Sequence, residues 1–191
     1  MNSFFAILFR QKYILRWGLM RNTTPESLSE HSSETAFVAH ALAVIGNRVF
    51  GKAYDPDRVA ALALFHDVPE VFTGDLPTPI KYFSSEMRSE YGKIEEQAVE
   101  RLLTALPEEF REEYRAYLAP AEADAESLKL VKAADRLCAY IKCLIEETCG
   151  NREFENAKKT TEKKLDALEC EELTYFREHF LPAFTLTLDE M

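Results

Sequence analysis

Apolar residues recur at spacings of three and four along almost the whole chain, and strict alternation of apolar and polar residues is scarce. That spacing collects apolar side chains on one face of an α-helix, whereas a half-buried strand needs alternation. Glycine, which weakens helices, occurs only six times in 191 residues. The pattern therefore predicts an all-α fold, and the length suits a single domain with one substantial core over residues 1–191.

Start and stop signals divide this pattern into helices. Ser3 can cap a first helix that runs to about Trp17, and Asp55 followed by Pro56 is typical of a helix start. The remaining helices are predicted at about 29–50, 56–67, 84–105, 108–118, 123–149 and 152–180. The segment TGDLPTP, residues 73–79, is expected to be an ordered loop because its prolines fix backbone angles.

The net charge of −10 argues against a nucleic-acid-binding surface. An anionic small molecule would need local cations in order to bind to such a chain. An arginine beside acids and a histidine therefore carries more information here than it would in a basic protein.

The cysteines and the N-terminal segment both favour a cytoplasmic location. No CxxC motif occurs and a chain of this size needs no disulfides, so free core thiols are expected at Cys138, Cys143, Cys149 and Cys170. The segment MNSFFAILFRQKYILRW has no basic start and turns charged after six apolar residues. It is neither a signal peptide nor long enough to span a bilayer, so no membrane association is expected.

Helix geometry separates the four histidines. His66 and Asp67 close an apolar helix, which is costly at a core boundary unless something compensates their charge. His31 opens the second helix and shares a face with apolar residues, whereas His40, nine residues later, points to about the opposite face. His179 is expected to be a packed or half-exposed histidine.

Asp135 interrupts the apolar face of a long predicted helix. The stripe is formed by Leu128, Val131, Ala134, Cys138, Ile141 and Ile145. A carboxylate there must meet a cation, a cluster of donors or a metal ion, and a buried Arg or Lys partner is an alternative. With His31, His66 and Asp67 it makes a mixed nitrogen and oxygen set that suits Mn²⁺, Fe²⁺, Co²⁺ or Zn²⁺.

The order H…HD…D resembles that of the HD-domain metal-dependent phosphohydrolases, and the chain is most similar to bacterial 5′-deoxynucleotidases among them. The segments RWGLMRN, SEHS…VAHALA, HDVPEVFTGDLPTPIKYF and LVKAADRLCAYIKCLIEE carry the resemblance. It implies an HD-domain helical bundle, and one divalent metal ion held by His31, His66, Asp67 and Asp135. It also implies substrate contacts at Arg16, Trp17, Asp75, Leu76, Pro77 and Thr78, with Glu70 as a catalytic acid, and it suggests a homodimer.

Chemistry suggests a role for each of these side chains. A planar guanidinium at Arg16 can bind two phosphate oxygens, although an arginine at a helix end can instead contact last-turn carbonyls. Glu70 follows His66 by four residues, so it can donate a proton to the leaving 5′-oxygen if the helix continues. Asp75 can orient water or hold a substrate hydroxyl, and the sequence does not assign which acid does which. Trp17 either packs on the sugar, leaving no room at C2′, or belongs to the core.

These observations favour an enzyme that hydrolyses deoxyribonucleoside 5′-monophosphates. Alternatives within the superfamily are hydrolases of cyclic nucleotides, (p)ppGpp or deoxynucleoside triphosphates. A triphosphate would need more cations than Arg16, and a second metal ion would need more inward histidines. A non-catalytic helical module with a structural metal is a further alternative, although such sites are usually rich in cysteine.

The last predicted helix carries a row of large apolar residues. They are expected either to close the core or to form a two-fold interface, and comprise Phe154, Ala157, Leu165, Leu168, Leu173, Phe176 and Phe180.

Overall fold

A computed structural model gives the fold and describes residues 2–77, 80 and 83–191. Within those ranges the chain is helical, and its one β-type contact is an isolated bridge between Leu15 and Ser27. The all-α class is therefore confirmed. The α-helices are α1 (Phe4–Leu8), α2 (Leu28–Val49), α3 (Pro56–Phe65), α4 (Glu70–Thr73), α5 (Ser85–Thr104), α6 (Arg111–Leu118), α7 (Ala125–Thr148), α8 (Glu155–Asp166) and α9 (Glu171–His179).

Short 3₁₀ segments extend or connect several of these helices. They lie at Phe9–Tyr13, Glu108–Phe110, Glu122–Asp124, Arg152–Phe154, Leu181–Thr185 and Leu188–Glu190. No helix in the described ranges is both long and apolar enough to cross a bilayer.

Capping fixes the starts of the two helices that approach each other at the site. Ser27 and Glu30 form a capping box at the start of α2, in which each side chain accepts from the other residue's backbone N–H. Asp55 accepts from the backbone N–H groups of residues 57 and 58, and Pro56 is the first residue of α3. The predicted starts of these helices are correct to one residue.

Two buried clusters support the helices. The larger lies between α2, α3 and α7 and is covered by α8 and α9. The smaller joins α1 to α5 and α6 and includes Phe4, Val68, Val99, Leu102, Leu103, Leu106 and Leu118. Most of the apolar row of the last predicted helix closes the larger core, because Leu165, Leu173 and Phe176 are buried in it and Leu168 packs against it. The organisation of residues 1–191 as one domain stays a prediction.

The first and last predicted helices are wrong in extent. After α1 the chain passes through 3₁₀ turns to an extended Ile14, because Leu28 N–H donates to the Ile14 carbonyl and holds the chain beside the start of α2. The region 152–180 is broken after α8, where an extended Cys170 turns the chain into α9. This turn lets Leu173 and Phe176 pack beside Leu165.

The apolar stripe of α7 is correct only in its middle part. Val131, Ala134, Cys138 and Ile141 are buried, but Ile145 is 39% exposed and its neighbour Glu146 is fully buried instead.

All four cysteines are free thiols, with Cys138 and Cys143 buried, Cys170 half-buried and Cys149 exposed. The expectation of core thiols is therefore wrong for Cys149.

Candidate metal and phosphate site

Two histidine rings from different helices meet where α2 begins and α3 ends. His31 lies in the first turn of α2 and is fully buried, and its ring centroid is 5.4 Å from that of His66. His31 Nε2 lies 3.1 Å from Asp135 Oδ1 and 3.7 Å from Asp67 Oδ2. Packing of α2 against α3 and α7 thus brings together side chains that are far apart in the sequence.

The end of α3 presents His66 and Asp67 to the same point. The backbone of His66 is still helical, and its Nδ1 lies 2.6 Å from the carbonyl oxygen of Ala63, one turn earlier. A carbonyl only accepts, so Nδ1 carries a proton and donates it to Ala63, which leaves Nε2 as the ring nitrogen that faces the carboxylates. His66 Nε2 is buried without a hydrogen-bonding partner, 3.1 Å from Asp67 Oδ2 and 4.0 Å from Asp135 Oδ1.

This donor set fits a divalent metal ion. One atom from each of His31, His66 and Asp67 lies within 4.8 Å of the others, and Asp135 adds a carboxylate oxygen on the α7 side. A metal-bound histidine usually donates one ring N–H to a carbonyl and offers its other ring nitrogen to the metal. His66 matches this pattern, with Nδ1 at the Ala63 carbonyl and Nε2 facing the carboxylates. Two imidazoles and two carboxylates suit a borderline ion.

The electrostatics of the cluster keep its carboxylates ionised. Burial raises the pKa of Asp67, but the nearby His66, His31 and Arg16 lower it further, so the net pKa lies below its ordinary range. Burial likewise raises the pKa of Asp135, and the hydrogen bond from His31 together with the charge of His66 brings it below the usual value. Both carboxylates are therefore charged near neutral pH, as ligation of a cation requires.

The same charges act on the imidazole of His66. Burial lowers the pKa of His66, but the negative charges of Asp67 and Asp135 raise it more, to about 9.

Asp135 is the most open member of the cluster, with 37% of its side chain exposed. It therefore lies at the edge of the apolar stripe of α7, whereas the sequence placed it on the buried face. Among the described residues, the side chains within 4.0 Å of its carboxylate that can carry positive charge are His31 and His66, and the charge of Arg16 acts on it from further away.

In the described part of the chain, one arginine contacts the cluster. Arg16 Nη1 is 3.4 Å from Asp67 Oδ2, and Arg16 Nε is 3.1 Å from Glu26 Oε2. Burial lowers the pKa of Arg16, but Glu26, Asp67, Asp135 and Asp75 raise it more. The guanidinium is thus permanently charged beside the donor set. Its bonds described above go to carboxylates and not to the carbonyls of a last helical turn.

Trp17 lies beside this arginine in an unusual backbone conformation. Its φ of 58° is the only positive value of a non-glycine residue in the described part of the chain. The indole Nε1 donates to Glu26 Oε2 at 2.8 Å, and the ring packs on Phe154 at 5.4 Å between centroids. The ring is half-buried, so one side belongs to the protein interior while part of it stays accessible to a ligand.

The remaining predicted residues lie on the segment after the HD pair. Glu70 is the first residue of α4 and is buried, and Gly74 ends that helix with a φ of 72°. Asp75, Leu76 and Pro77 follow and are half-buried. Thr78, also predicted at the substrate, lies outside the described residues.

Glu26 is the residue of this site that the sequence did not reveal. It lies in the polar connection RNTTPESLSEHSS, where an acid before a helix start is typical of a solvated loop. Its position immediately before the capping residue Ser27 was the only available signal.

The other two histidines lie away from the site, as expected. His40 is exposed, with its Nε2 3.9 Å from Asp57 Oδ1. His179 is exposed as well, and its ring packs on Tyr175 with 4.2 Å between the ring centroids.

Comparison with known proteins places the chain in one family. A family model described as 5′-deoxynucleotidase YfbR-like matches residues 3–184. The chain is similar to a 5′-deoxynucleotidase of Vibrio cholerae, with 53% identity over all of this chain and 98% of that protein. It is 48% identical to a 5′-deoxynucleotidase of Shewanella oneidensis, again over all of this chain and 98% of that protein.

Solved structures resemble the fold at lower identity. An HD-domain phosphohydrolase from Listeria innocua has a TM-score of 0.83 at 22% identity, covering 95% of this chain and 88% of that one. The cyanophage S-2L HD phosphohydrolase DatZ, bound to dA and one catalytic Zn²⁺ ion, has a TM-score of 0.64 at 20% identity, covering 93% and 95%. The HD-domain fold is therefore confirmed. Matched along nearly its entire length, the chain belongs to the YfbR-like 5′-deoxynucleotidase family.

Proposed function

We propose that the chain is an enzyme that hydrolyses deoxyribonucleoside 5′-monophosphates to deoxynucleoside and phosphate. In this proposal His31, His66, Asp67 and Asp135 hold one divalent transition-metal ion, drawn from Co²⁺, Mn²⁺, Fe²⁺ and Zn²⁺. The observation that carries the proposal is Arg16 Nη1 at 3.4 Å from Asp67 Oδ2, which sets one fixed cation against a histidine and carboxylate cluster. Family membership supplies the substrate class.

A divalent ion held there supplies Lewis-acid activation of the phosphoryl group and of water. Arg16 binds the phosphate dianion with the terminal nitrogens of its guanidinium, since its Nε already donates to Glu26. A triphosphate carries more negative charge than a monophosphate and would need more cations than Arg16, which favours the monophosphate. The cost of burying Arg16 is offset by Glu26 and Asp67 before substrate arrives.

Glu70 and Asp75 are the two acids of the proposed reaction. The 5′-alkoxide is a poor leaving group and needs a proton, which Glu70, buried one turn after the HD pair, donates. Asp75 follows Gly74 on the same segment and either orients the attacking water or holds a substrate hydroxyl.

Trp17 and the loop after α4 enclose the sugar. The accessible part of the indole packs on the deoxyribose and leaves too little room for a 2′-hydroxyl. Leu76 and Pro77, on the half-buried segment after Gly74, contact the substrate as well, and a contact from Thr78 stays a prediction. Exclusion of a hydroxyl by shape is limited to about 100-fold, so ribonucleotides are expected to be poor substrates and not inert.

Location and assembly are proposed from the same reasoning. Four free thiols support a cytoplasmic enzyme, because reducing compartments keep thiols unpaired. The homodimer implied by the resemblance to the family, and the absence of a nucleic-acid partner implied by the net charge of −10, both stay predictions.

The test is phosphate release from dAMP and AMP, with and without EDTA, in the wild type and in Glu70→Ala. We expect the wild type to prefer dAMP, EDTA to abolish release, and Glu70→Ala to lose at least about 100-fold in kcat. Glu96→Ala, which removes an exposed acid on α5, is the matched control and should behave as the wild type. Equal cleavage of AMP and dAMP would contradict the role of Trp17, and no release in any tube would favour a non-catalytic metal module.

A further inference from the structure

Glu26 has a place in the site that the roles proposed above leave unassigned. Its residue is 7% exposed, and a single carboxylate oxygen, Oε2, accepts from both Arg16 Nε and Trp17 Nε1, at 3.1 Å and 2.8 Å. A buried carboxylate shared by two donors is held firmly, because both bonds are directional and one of them is charge-assisted. The two side chains proposed to bind opposite parts of the substrate are thus fixed to one atom.

The backbone around Glu26 reinforces this arrangement. Arg16 N–H donates to the Glu26 carbonyl at 2.9 Å, so the two residues are joined through the main chain as well as through their side chains. Glu26 directly precedes Ser27, which caps α2, and α2 carries His31 in its first turn. The position of Glu26 is therefore set by the same helix that positions the cluster.

Trp17 needs such a restraint. A non-glycine residue with a φ of 58° is unfavourable for its backbone, and it persists only where neighbouring contacts favour it. The contacts include the bond to Glu26 and the packing on Phe154, and the Trp17 carbonyl accepts from Met20 N–H and from Asn22 Nδ2. Of these, only the bond to Glu26 fixes the direction in which the indole N–H points.

A continuous chain of polar contacts runs from the indole to the donor set. It passes from Trp17 Nε1 to Glu26 Oε2, from Glu26 to Arg16 Nε, and from Arg16 Nη1 to Asp67 Oδ2. A displacement of Glu26 would move the guanidinium and the indole together. A separate displacement of either one would break one of the two bonds to Oε2.

We propose that Glu26 is a positioning residue that couples phosphate binding to sugar discrimination. Its Oε2 aims the terminal nitrogens of Arg16 at the phosphate and holds the Trp17 indole against C2′. The proposal rests on the proposed function, since it assumes that Arg16 meets the phosphate and Trp17 the sugar. Glu26 itself touches neither the phosphate nor the metal ligands.

Glu26→Gln tests the proposal, because it keeps the shape of the side chain and removes the charge. The main readout is the ratio of kcat/KM for dAMP to kcat/KM for AMP, which does not depend on the fraction of folded enzyme. We expect this preference to fall by about tenfold and KM for dAMP to rise more than kcat falls, since a bond to a charged group is lost. Glu26→Ala should have a larger effect of the same kind.

Trp17 supplies a second readout that needs no turnover. It is the only tryptophan in the chain, so its fluorescence reports on this ring alone. In Glu26→Gln the emission should shift to longer wavelength as the indole N–H turns to water. In a Trp17→Phe background, which lacks the indole N–H, adding Glu26→Gln should leave the dAMP-to-AMP ratio unchanged.

Glu153→Gln is the matched control. Glu153 accepts from Arg21, on the same loop as Trp17, and is partly exposed. The same substitution there removes an acid bound to a loop arginine without touching Arg16 or Trp17. Its preference and emission should equal those of the wild type.

The outcomes separate this proposal from the proposed function. If the wild type prefers dAMP and Glu26→Gln retains that preference, Glu26 is merely structural and the proposal is overturned while the function stands. If the wild type releases no phosphate from dAMP, the proposed function fails. The emission spectrum then decides alone whether Glu26 positions the indole, and an unchanged spectrum in Glu26→Gln overturns it.

Discussion

Adjacent side chains on an α-helix point about 100° apart, yet His66 Nε2 and Asp67 Oδ2 lie 3.1 Å apart at the end of α3. The hydrogen bond from His66 Nδ1 to the Ala63 carbonyl holds the imidazole over the last turn. Beyond it the chain continues in tighter turns, in which Val68 N–H donates to the Phe65 carbonyl and Glu70 N–H to the Asp67 carbonyl. The HD pair thus lies where α3 passes into these turns.

Asp135→Asn tests the metal assignment at the scale of one residue. The amide keeps the shape of the side chain but loses the negative charge that lies 3.1 Å from His31 Nε2. We expect the affinity for Co²⁺ or Mn²⁺ to fall at least about tenfold and phosphate release to fall with it. Titration calorimetry and elemental analysis of the purified protein measure the first effect.

His40→Ala is the control for that experiment. His40 lies on α2, as His31 does, but it is exposed and faces Asp57. Its removal should leave metal content and activity unchanged. Full metal content together with full turnover in Asp135→Asn would remove the basis of the proposed site.

The sequence singled out the candidate metal ligands for a physical reason that does not extend to Glu26, whereas the substrate residues were implied by the resemblance to the family. His66, Asp67 and Asp135 stand out because ionisable groups on or beside apolar helix faces are costly unless something compensates them. Glu26 lies among polar residues of a connection, where an acid raises no such conflict. Its burial follows from Trp17 and Arg16 folding over it, which no local pattern records.

At the scale of elements, the turn that ends α4 is more constrained than its sequence suggests. Gly74 has φ 72° and ψ 165°, a region that is open almost only to glycine. Its N–H closes the helix by donating to the Glu70 carbonyl at 2.7 Å. Asp75 follows directly, so the direction in which it leaves the helix depends on this one glycine.

Gly74→Ala should therefore destabilise the fold by about 1–3 kcal/mol and displace Asp75. No atom lies within 4 Å of an added Cβ, so the cost is conformational and not a clash. Gly92→Ala is the matched variant: it also meets no atom within 4 Å but lies inside α5, where alanine is favoured by up to about 1 kcal/mol. Urea unfolding of both variants measures the difference, and equal stability would contradict the prediction.

Helix starts were more predictable than helix breaks. Ser27 and the Asp55–Pro56 pair act through atoms of their own segment, so their effect can be seen in the sequence. The break between α8 and α9 has neither glycine nor proline, and it is fixed by packing of Leu173 and Phe176 against distant helices. The early end of α1 likewise depends on bonds to the start of α2.

At the scale of the whole molecule, Glu146 joins the loop that follows Arg16, the arginine proposed to bind phosphate, to the end of α7. The carboxylate is fully buried and accepts from Lys142, from the side chain of Asn151, and from the backbone N–H groups of Thr23 and Thr24. Burial raises the pKa of Glu146, but these donors lower it more, to about 2. An ionised acid thus joins parts of the chain separated by more than a hundred residues.

This pKa predicts a loss of stability in acid. Because the folded-state pKa lies below the ordinary value of 4.5, the contribution is complete above about pH 4.5 and is lost as the pH falls towards 2. The shift corresponds to about 3 kcal/mol in the free energy of unfolding. In Glu146→Gln the deficit relative to the wild type should be largest at pH 7 and shrink towards pH 2, as followed by chemical denaturation.

Glu147→Gln provides the comparison. Glu147 is the next residue and pairs with Lys158, but it is about half exposed, so its ion pair contributes little. Its stability should follow the wild type at every pH. A constant deficit of Glu146→Gln from pH 7 to pH 2 would mean that the charge of Glu146 does not matter.

The packing of Trp17 on Phe154 has a consequence for the order of events during synthesis. The ribosome releases the arginine and tryptophan of the loop long before it reaches the ring on which the tryptophan rests. A nascent polypeptide that stops short of residue 151 lacks that support, together with Asn151 and its bond to Glu146. Such a fragment carries every proposed metal ligand, but it also lacks α8 and α9, which cover the larger core, so metal binding and nucleotide selection should both wait for the end of synthesis.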